Sequence, residues 1–251
     1  MFNWFRTSRP DTLDLSSLGV DLHSHLIPGI DDGVQTVEEA VEMVRRMETY
    51  GYRHVITTPH IIWDCYRNTP EIIGEGLRAV REACRAAGLR VTLDAAAEYF
   101  LDEHFQELLR TGAPLLTLPG KRLLVELPYT TPLLNTSETL FSIIEHGYQP
   151  VLAHPERYAY YHADPSIYQR LVAQGCELQL NALSLTGHYG EEVARTAEWL
   201  LRHDLIVFLG SDAHKMAHLD QLQKLPKSKW LKSYSFRNQS LFPREYEKVV
   251  D

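Results

Sequence analysis

The chain has 251 residues and a net charge of -8; 44% of the residues are hydrophobic and 23% charged. That supplies one large core, and the acidic balance gives a polynucleotide no electrostatic help, so no nucleic-acid partner is expected. The three cysteines, Cys65, Cys84 and Cys176, form no CxxC pair, which fits a reduced, cytoplasmic compartment.

The chain opens with MFNWFRTSRP, which lacks the apolar stretch and small-residue cleavage site of a signal peptide. Phe2, Trp4 and Phe5 beside Arg6 and Arg9 read as an N-terminal arm, residues 1–18, that packs on its own domain. A membrane surface or a neighbouring subunit is the alternative use of that arm. No apolar run reaches about 18 residues, so no transmembrane segment is expected.

The first strand-like run is GVDLHSH from Gly19. A capping box, Thr36 with Glu39, then starts a helix whose apolar stripe is Val37, Ala40, Val41, Val44 and Met47. HVITTPH from His54 is the second strand. Thr69-Pro70 opens the next helix, with Ile73, Leu77, Val80, Cys84 and Ala87 on its inner face. Five more strand-like runs follow: RVTLDAAAEYF from Arg90, RLLVELP from Arg122, QPVLAHPE from Gln149, CELQLNA from Cys176 and LIVFLGSDAH from Leu205. Near-continuous apolar runs separated by helices suit parallel strands buried on both faces. Their repetition at about thirty residues predicts a closed or nearly closed α/β barrel. An open doubly wound sheet is the alternative, weakened because no Gly-x-Gly-x-x-Gly turn follows the first strand. From about Lys224 the chain turns basic and polar, a C-terminal extension that covers the barrel or an interface.

The polar residues carry the chemistry, because most strands end in a His, Asp or Glu. The first gives His23 and His25, with Asp32 in the loop behind. Later ends give His60, Glu98, Glu126 and His154, and the last gives Asp212 and His214. In a parallel barrel all these ends meet at one face. Alternation turns His23 and His25 to one side, as it does Asp212 and His214. Convergent imidazoles and carboxylates are costly to bury unpaired, and divalent cations resolve the cost. Nitrogen and oxygen donors without thiolate favour manganese, iron or zinc.

The motifs DLHSHLIPGIDDG, TTPH, AAAEY, LLVELP, LAHPERY and GSDAH run in this order from about Gly19 to His214. They resemble those of the PHP (polymerase and histidinol phosphatase) superfamily. Within it they are most similar to the bacterial protein-tyrosine phosphatases that accompany tyrosine kinases of capsule and exopolysaccharide synthesis. The resemblance implies an α/β fold, a distorted (β/α)7 TIM-like PHP barrel, with three divalent metal ions, manganese first among them. It implies that His23, His25, Glu98 and Asp212 hold the first ion. Glu98 would bridge to a second, completed by Glu126 and His154, and Asp32, His60 and His214 would hold the third. Residues 1–251 then read as a single phosphatase domain with the arm and the extension, about 224–251, attached.

Arg157, three residues after His154 in HPER, resembles the tyrosine-phosphatase branch, and its planar fork suits a phosphate dianion. An ion pair with Glu156 is the alternative role for it. The implied chemistry is hydrolysis of a phosphomonoester, with His60 as candidate proton donor to the leaving group. Tyr99 and Tyr158 are candidate walls for the phosphotyrosine ring, with Tyr160 and Tyr161 behind them; Tyr66 and Arg67 are weaker candidates for peptide contact. The expected partner is a phosphotyrosine protein such as a bacterial tyrosine kinase. That partner would hold a cytoplasmic enzyme near the inner membrane, and a homo-oligomer is left open. The rivals are a small-molecule phosphatase, such as one for histidinol phosphate, and a non-catalytic scaffold of the same fold.

One further motif points to metal-free chemistry. CRAAGLR, from Cys84 to Arg90, has the C-x5-R spacing of cysteine phosphatases. Such a nucleophile belongs at a strand end, in a loop that wraps phosphate at the start of a helix. Cys84 instead falls late on an apolar helical face, ahead of a strand. Cys84→Ser is expected to leave phosphoester hydrolysis largely intact in a steady-state assay; complete loss would restore the cysteine mechanism.

Overall fold

The computed structural model describes residues 13–225 and 228–242. Phe2, Trp4, Phe5, Arg6 and Arg9 of the N-terminal arm lie outside the described residues, as does the C-terminal extension beyond Phe242.

The strands in chain order are β1 (Val20–Asp21), β2 (His54–Thr57), β3 (His60–Ile61), β4 (Thr92–Ala95), β5 (Glu98–Phe100), β6 (Arg122–Glu126), β7 (Gln149–Ala153), β8 (Glu177–Asn181) and β9 (Phe208–Gly210). One sheet has the order β1-β2-β4 and the other β3-β5-β6-β7-β8-β9, with every pairing parallel. The two sheets are parts of one distorted barrel. Two of the predicted strands are each split in two, and Pro59, which has no N–H for the ladder, marks the first break. Across the breaks Ala96 N donates to Thr57 O and Glu98 N to Pro59 O. The barrel closes where Ser24 bridges Ala213, Asp212 N donates to His23 O at 2.7 Å and His25 N donates to Ala213 O at 3.0 Å. Buried Asp21 adds to this seam, its carboxylate accepting from both the backbone N and the hydroxyl of Ser211 at 2.8 Å.

The helices are α1 (Val37–Thr49), α2 (Pro70–Ala86), α3 (Glu103–Thr111), α4 (Thr136–Glu145), α5 (Ile167–Ala173) and α6 (Glu191–Arg202) between strands, with α7 (Met216–Leu222) and α8 (Lys229–Ser233) after β9. Thr36 caps α1 by accepting from Glu39 N, but the Glu39 carboxylate reaches back to Gln35 N, one residue before the capping-box position. Its buried face is Ala40, Met43, Val44 and Met47, so Met43 takes the place expected for half-buried Val41. Thr69 caps α2, and Ile73, Leu77, Val80 and Cys84 face inward as their spacing predicts. Burial there pushes the Cys84 thiol up to about 11. The turn at Gly88 (φ +74°) leads on to β4 rather than into a helix, so no phosphate loop forms around this cysteine.

Strand alternation divides the core in two. Val55, Leu123, Val125, Leu152, Leu178, Leu180 and Leu209 point outward against the helices. Val20, Ile56, Ala96, Leu124, Val151, Ala153 and Phe208 fill the barrel itself with Leu118 and Leu241. Both faces of each strand are thus buried, which is why the runs read as continuously apolar.

Leu241 belongs to the C-terminal extension, which covers the barrel end opposite the strand C-termini. Buried Asn238 accepts from Leu209 N at 3.1 Å and donates to Leu209 O at 2.7 Å and to Val20 O at 2.9 Å. Its amide thus joins the first strand to the last. Asn238→Ala would strand buried backbone groups, and a loss of about 2–4 kcal/mol in urea denaturation is expected. A loss below about 1 kcal/mol would mean that the segment is not needed for closure.

Candidate metal centre

The nine strand-end residues meet at one mouth of the barrel. Glu98, at the start of β5, stands in the middle. Its Oε2 lies 3.1 Å from His23 Nε2, 3.2 Å from His60 Nδ1 and 3.5 Å from His25 Nε2. Its Oε1 lies 2.9 Å from His154 Nε2. Asp212 Oδ1 faces His23 Nε2 at 3.4 Å, His25 Nε2 at 3.6 Å and His214 Nδ1 at 3.4 Å. Asp32 Oδ1 reaches His214 Nε2 at 3.4 Å and His60 Nε2 at 3.6 Å. Glu126, which ends β6, reaches His60 Nδ1 at 3.0 Å.

Donor atoms within 4.8 Å of one another form four overlapping groups: His23, His25 and Glu98; His23, His154 and Asp212; His60, Glu98 and Glu126; and His25, Asp32, His60 and His214. Glu98 is shared, as a bridging carboxylate must be. These distances pair Glu126 with His60, whereas the sequence resemblance pairs it with His154. His60 therefore stands between two candidate ion positions.

These side chains fit cations better than they fit one another. His25 Nε2 and His60 Nδ1 are buried with no hydrogen-bond partner, a costly state for an imidazole unless its lone pair meets a cation. Burial opposes charging His23, yet the carboxylates of Glu98 and Asp212 outweigh it and raise the imidazole to about 9. His25 is likewise raised well above its ordinary value against its burial, through Asp212, Asp31 and Glu98. Burial likewise disfavours charge on Glu98, but the surrounding imidazoles, His23 foremost, hold it well below the usual carboxylate range. The carboxylates thus demand positive charge, which protons or divalent cations supply, and cation binding displaces the protons. Burial, aided by Arg157, instead lowers His154, which favours its neutral form, the one that ligates.

Outer partners fix the rings. Gln179 Oε1 sits 2.8 Å from His23 Nδ1, Asp31 Oδ2 sits 2.8 Å from His25 Nδ1, and the Asp212 carbonyl sits 3.0 Å from His214 Nδ1. The first two leave Nε2 aimed at the centre. His154 and Asp212 hold positive φ, 35° and 49°, a strained conformation for residues with a Cβ, and both are candidate ligands.

Arg157 lies at the edge of this cluster. Its Nη1 donates to Asp212 Oδ2 at 2.8 Å, and its guanidinium carbon lies 4.9 Å from the ring centre of Tyr129 and 4.5 Å from that of Tyr189. Asn181 Nδ2 donates to the same carboxylate oxygen at 2.7 Å. Glu156 turns away from Arg157: its Oε1 accepts from Asn181 N at 2.9 Å and Ser184 Oγ at 2.7 Å, and burial raises its pKa to about 7.

The structure corrects two sequence expectations. Tyr99 is buried and faces the helices, packed on Phe105, with its hydroxyl accepting from Leu116 N at 2.8 Å. Alternation requires this: with Glu98 turned to the centre, its strand neighbour points away. Tyr158 is fully buried, its hydroxyl held between Leu127 N and the Ala153 carbonyl, so neither tyrosine presents a wall to a ligand. His60 faces carboxylates with both ring nitrogens. Tyr66 stacks on His60, and Arg67 lies over Trp63 on the same loop.

Four residues of the site were not read from the sequence: Gln179, Asn181, Tyr129 and Tyr189. Gln179 and Asn181 had a signal, since CELQLNA alternates polar with leucine in a strand whose other face is core. Tyr129 and Tyr189 lie on irregular segments with no periodicity to place them.

Residues 19–228 match the family described as "Capsular polysaccharide synthesis, CpsB/CapC". Tyrosine-protein phosphatase YwqE of Bacillus subtilis is 27% identical over 197 residues, 78% of this chain and 78% of that protein. Tyrosine-protein phosphatase CpsB of Streptococcus pneumoniae is 26% identical over 203 residues, 78% of this chain and 83% of its own. A crystal structure from the work on those two proteins, described there as metal-dependent tyrosine phosphatases, superposes with a TM-score of 0.77 at 26% identity. It covers 88% of this chain and 90% of that one.

Gln179→Leu removes the acceptor that orients His23 and is expected to weaken metal affinity about 10–100-fold. Competition with a chelator measures it, and unchanged affinity would show that Gln179 does not set the ring.

Proposed function

The chain belongs to the CpsB/CapC family of capsular polysaccharide synthesis, and from that premise we propose that it is a metal-dependent phosphatase that removes phosphate from tyrosine in proteins. The observation that carries this reading is the donor set around Glu98, with buried imidazole nitrogens that face carboxylates without a hydrogen bond, and a guanidinium beside it. Three divalent ions would be held by this donor set: one by His23, His25, Glu98 and Asp212, one by Glu98 with Glu126 and His154, and one by Asp32, His60 and His214. Manganese is favoured, because imidazole and carboxylate donors without thiolate suit it.

When bound, such ions supply Lewis acidity and bring the pKa of water toward neutrality. The chain's own residues do the rest. Arg157, with one nitrogen fixed on Asp212, turns the remaining N–H groups of its planar fork to the phosphoryl oxygens. Because Asp212 orients the guanidinium in advance, little reorganisation is needed as charge develops there. Phenolate leaves readily, so an aryl ester makes little demand on a proton donor. The substrate this reading favours is a tyrosine kinase of capsule or exopolysaccharide synthesis, met in the cytoplasm at the inner membrane. The three cysteines are free, and among the described residues no helix is long and apolar enough to cross a membrane.

A direct comparison tests the reading. With manganese, a phosphotyrosine peptide is expected to be turned over in preference to histidinol phosphate, and chelation should abolish the activity. The reverse preference would identify a small-molecule phosphatase, and no turnover of any phosphoester would identify a scaffold. Arg157→Ala should keep its metals, since Asn181 still holds Asp212, while kcat falls about 10²–10³-fold. An unchanged rate would remove Arg157 from the site.

A further inference from the structure

The position of Tyr129 answers a question left open by the burial of Tyr99 and Tyr158, namely what meets the organic part of a phosphate ester. Trp63, Ile72, Tyr129, Leu134 and Phe141 are the exposed large hydrophobic side chains among the described residues. Of these, Tyr129 lies against the centre. It sits three residues beyond Glu126, on the loop that leaves β6. The residue is 40% exposed, and its side chain is held by several contacts. The hydroxyl is 3.3 Å from both ring nitrogens of His154, and the ring lies 5.7 Å from the imidazole, tilted by 24°, and 5.6 Å from the ring of Tyr158. The guanidinium carbon of Arg157 completes the contact at 4.9 Å from the ring centre. Tyr129 therefore touches a candidate ligand and the candidate phosphate-binding arginine at once, in a residue that still meets solvent.

We propose that Tyr129 is the side chain on which an aryl group of the substrate stacks, and so the residue that sets a preference for aryl over alkyl phosphomonoesters. The inference rests on the phosphatase reading of the centre and names its specificity residue. The geometry follows from the ester. One bridging oxygen separates phosphorus from an aryl ring, so a phosphate held at Arg157 brings that ring alongside Tyr129. Aromatic pairs attract at ring separations of about 4.5–7 Å, and an alkyl ester such as phosphoserine has no ring to offer. The neighbours of Tyr129 hold it in place before any ligand arrives, which reduces the ordering that binding requires.

The experiment uses the full chain loaded with manganese and measures affinity by calorimetry for benzylphosphonate, the phenyl ligand, and ethylphosphonate, in both of which a methylene stands for the bridging oxygen. Neither is hydrolysed, so the readout does not depend on turnover. The wild type should favour the phenyl ligand. Tyr129→Leu should reduce that preference about five- to tenfold, and Tyr129→Phe should keep it. Tyr129→Ser provides a second truncation, and equal metal content certifies each variant as folded. A preference unchanged in both truncations would overturn the inference. So would an equal loss for both ligands, which would make Tyr129 only a support for Arg157, or a wild type without preference. A wild type that binds neither ligand would overturn the phosphatase reading and this inference with it.

Discussion

Glu98 holds one carboxylate oxygen within 3.1–3.5 Å of three imidazole nitrogens, with its other oxygen 2.9 Å from a fourth. This convergence governs what the rest of the chain must do. Carboxylates and imidazoles so close together in a dry setting are stable only if something positive is shared among them. Protons satisfy the requirement in part, as the raised pKa values of His23 and His25 show. Two of the buried nitrogens still lack a hydrogen-bond partner, a need that a cation would meet. Affinity for metal is thus built into the donor set as it stands.

Holding such a cluster requires a rigid scaffold. The parallel barrel puts a strand end at each required point, and its lumen is filled by side chains from Val20 to Phe208 rather than by water. The split strands at Pro59 and Ala96 distort the cylinder, so that His60 and Glu98 start a new pair in register with each other. Where the last strand meets the first, ladder bonds are few. Asp21 clamps Ser211 there, and Asn238 ties Val20 to Leu209. Candidate ligands flank this seam, His23 and His25 on one side and Asp212 and His214 on the other. The seam and the centre therefore depend on the same few hydrogen bonds. The positive φ of Asp212 persists because both its neighbours in the ladder and its side-chain partners hold it.

Arg157 shows how charge is shared outward. Asp212 turns one oxygen to the imidazoles and the other to Arg157 and Asn181. The guanidinium between the rings of Tyr129 and Tyr189 is thereby oriented through a candidate ligand. Asn181 in turn takes its place from Glu156, which binds the Asn181 backbone. The HPER segment hence contributes an imidazole, a buried brace and a cation in successive layers.

Residue type and spacing in the sequence determined the parallel α/β order, the inner face of α2, part of that of α1 and the list of polar residues at the strand ends. They do so because burial on both faces of a strand leaves an apolar run that a lone His or Glu interrupts visibly. The helical setting of Cys84 was legible for the same reason, since the period of its apolar neighbours is that of a helix. Tertiary structure alone decided which donor faces which, as with His60 beside Glu126. It also decided which tyrosine is exposed. Tyr99 and Tyr158 are adjacent in sequence to site residues, and adjacency in a strand or tight turn sends neighbours to opposite sides. Tyr129 reaches His154 and Arg157 across 25 and 28 positions of chain, and no local pattern encodes such a contact. Periodicity tells a residue which face it occupies; only the closed barrel tells it what stands opposite.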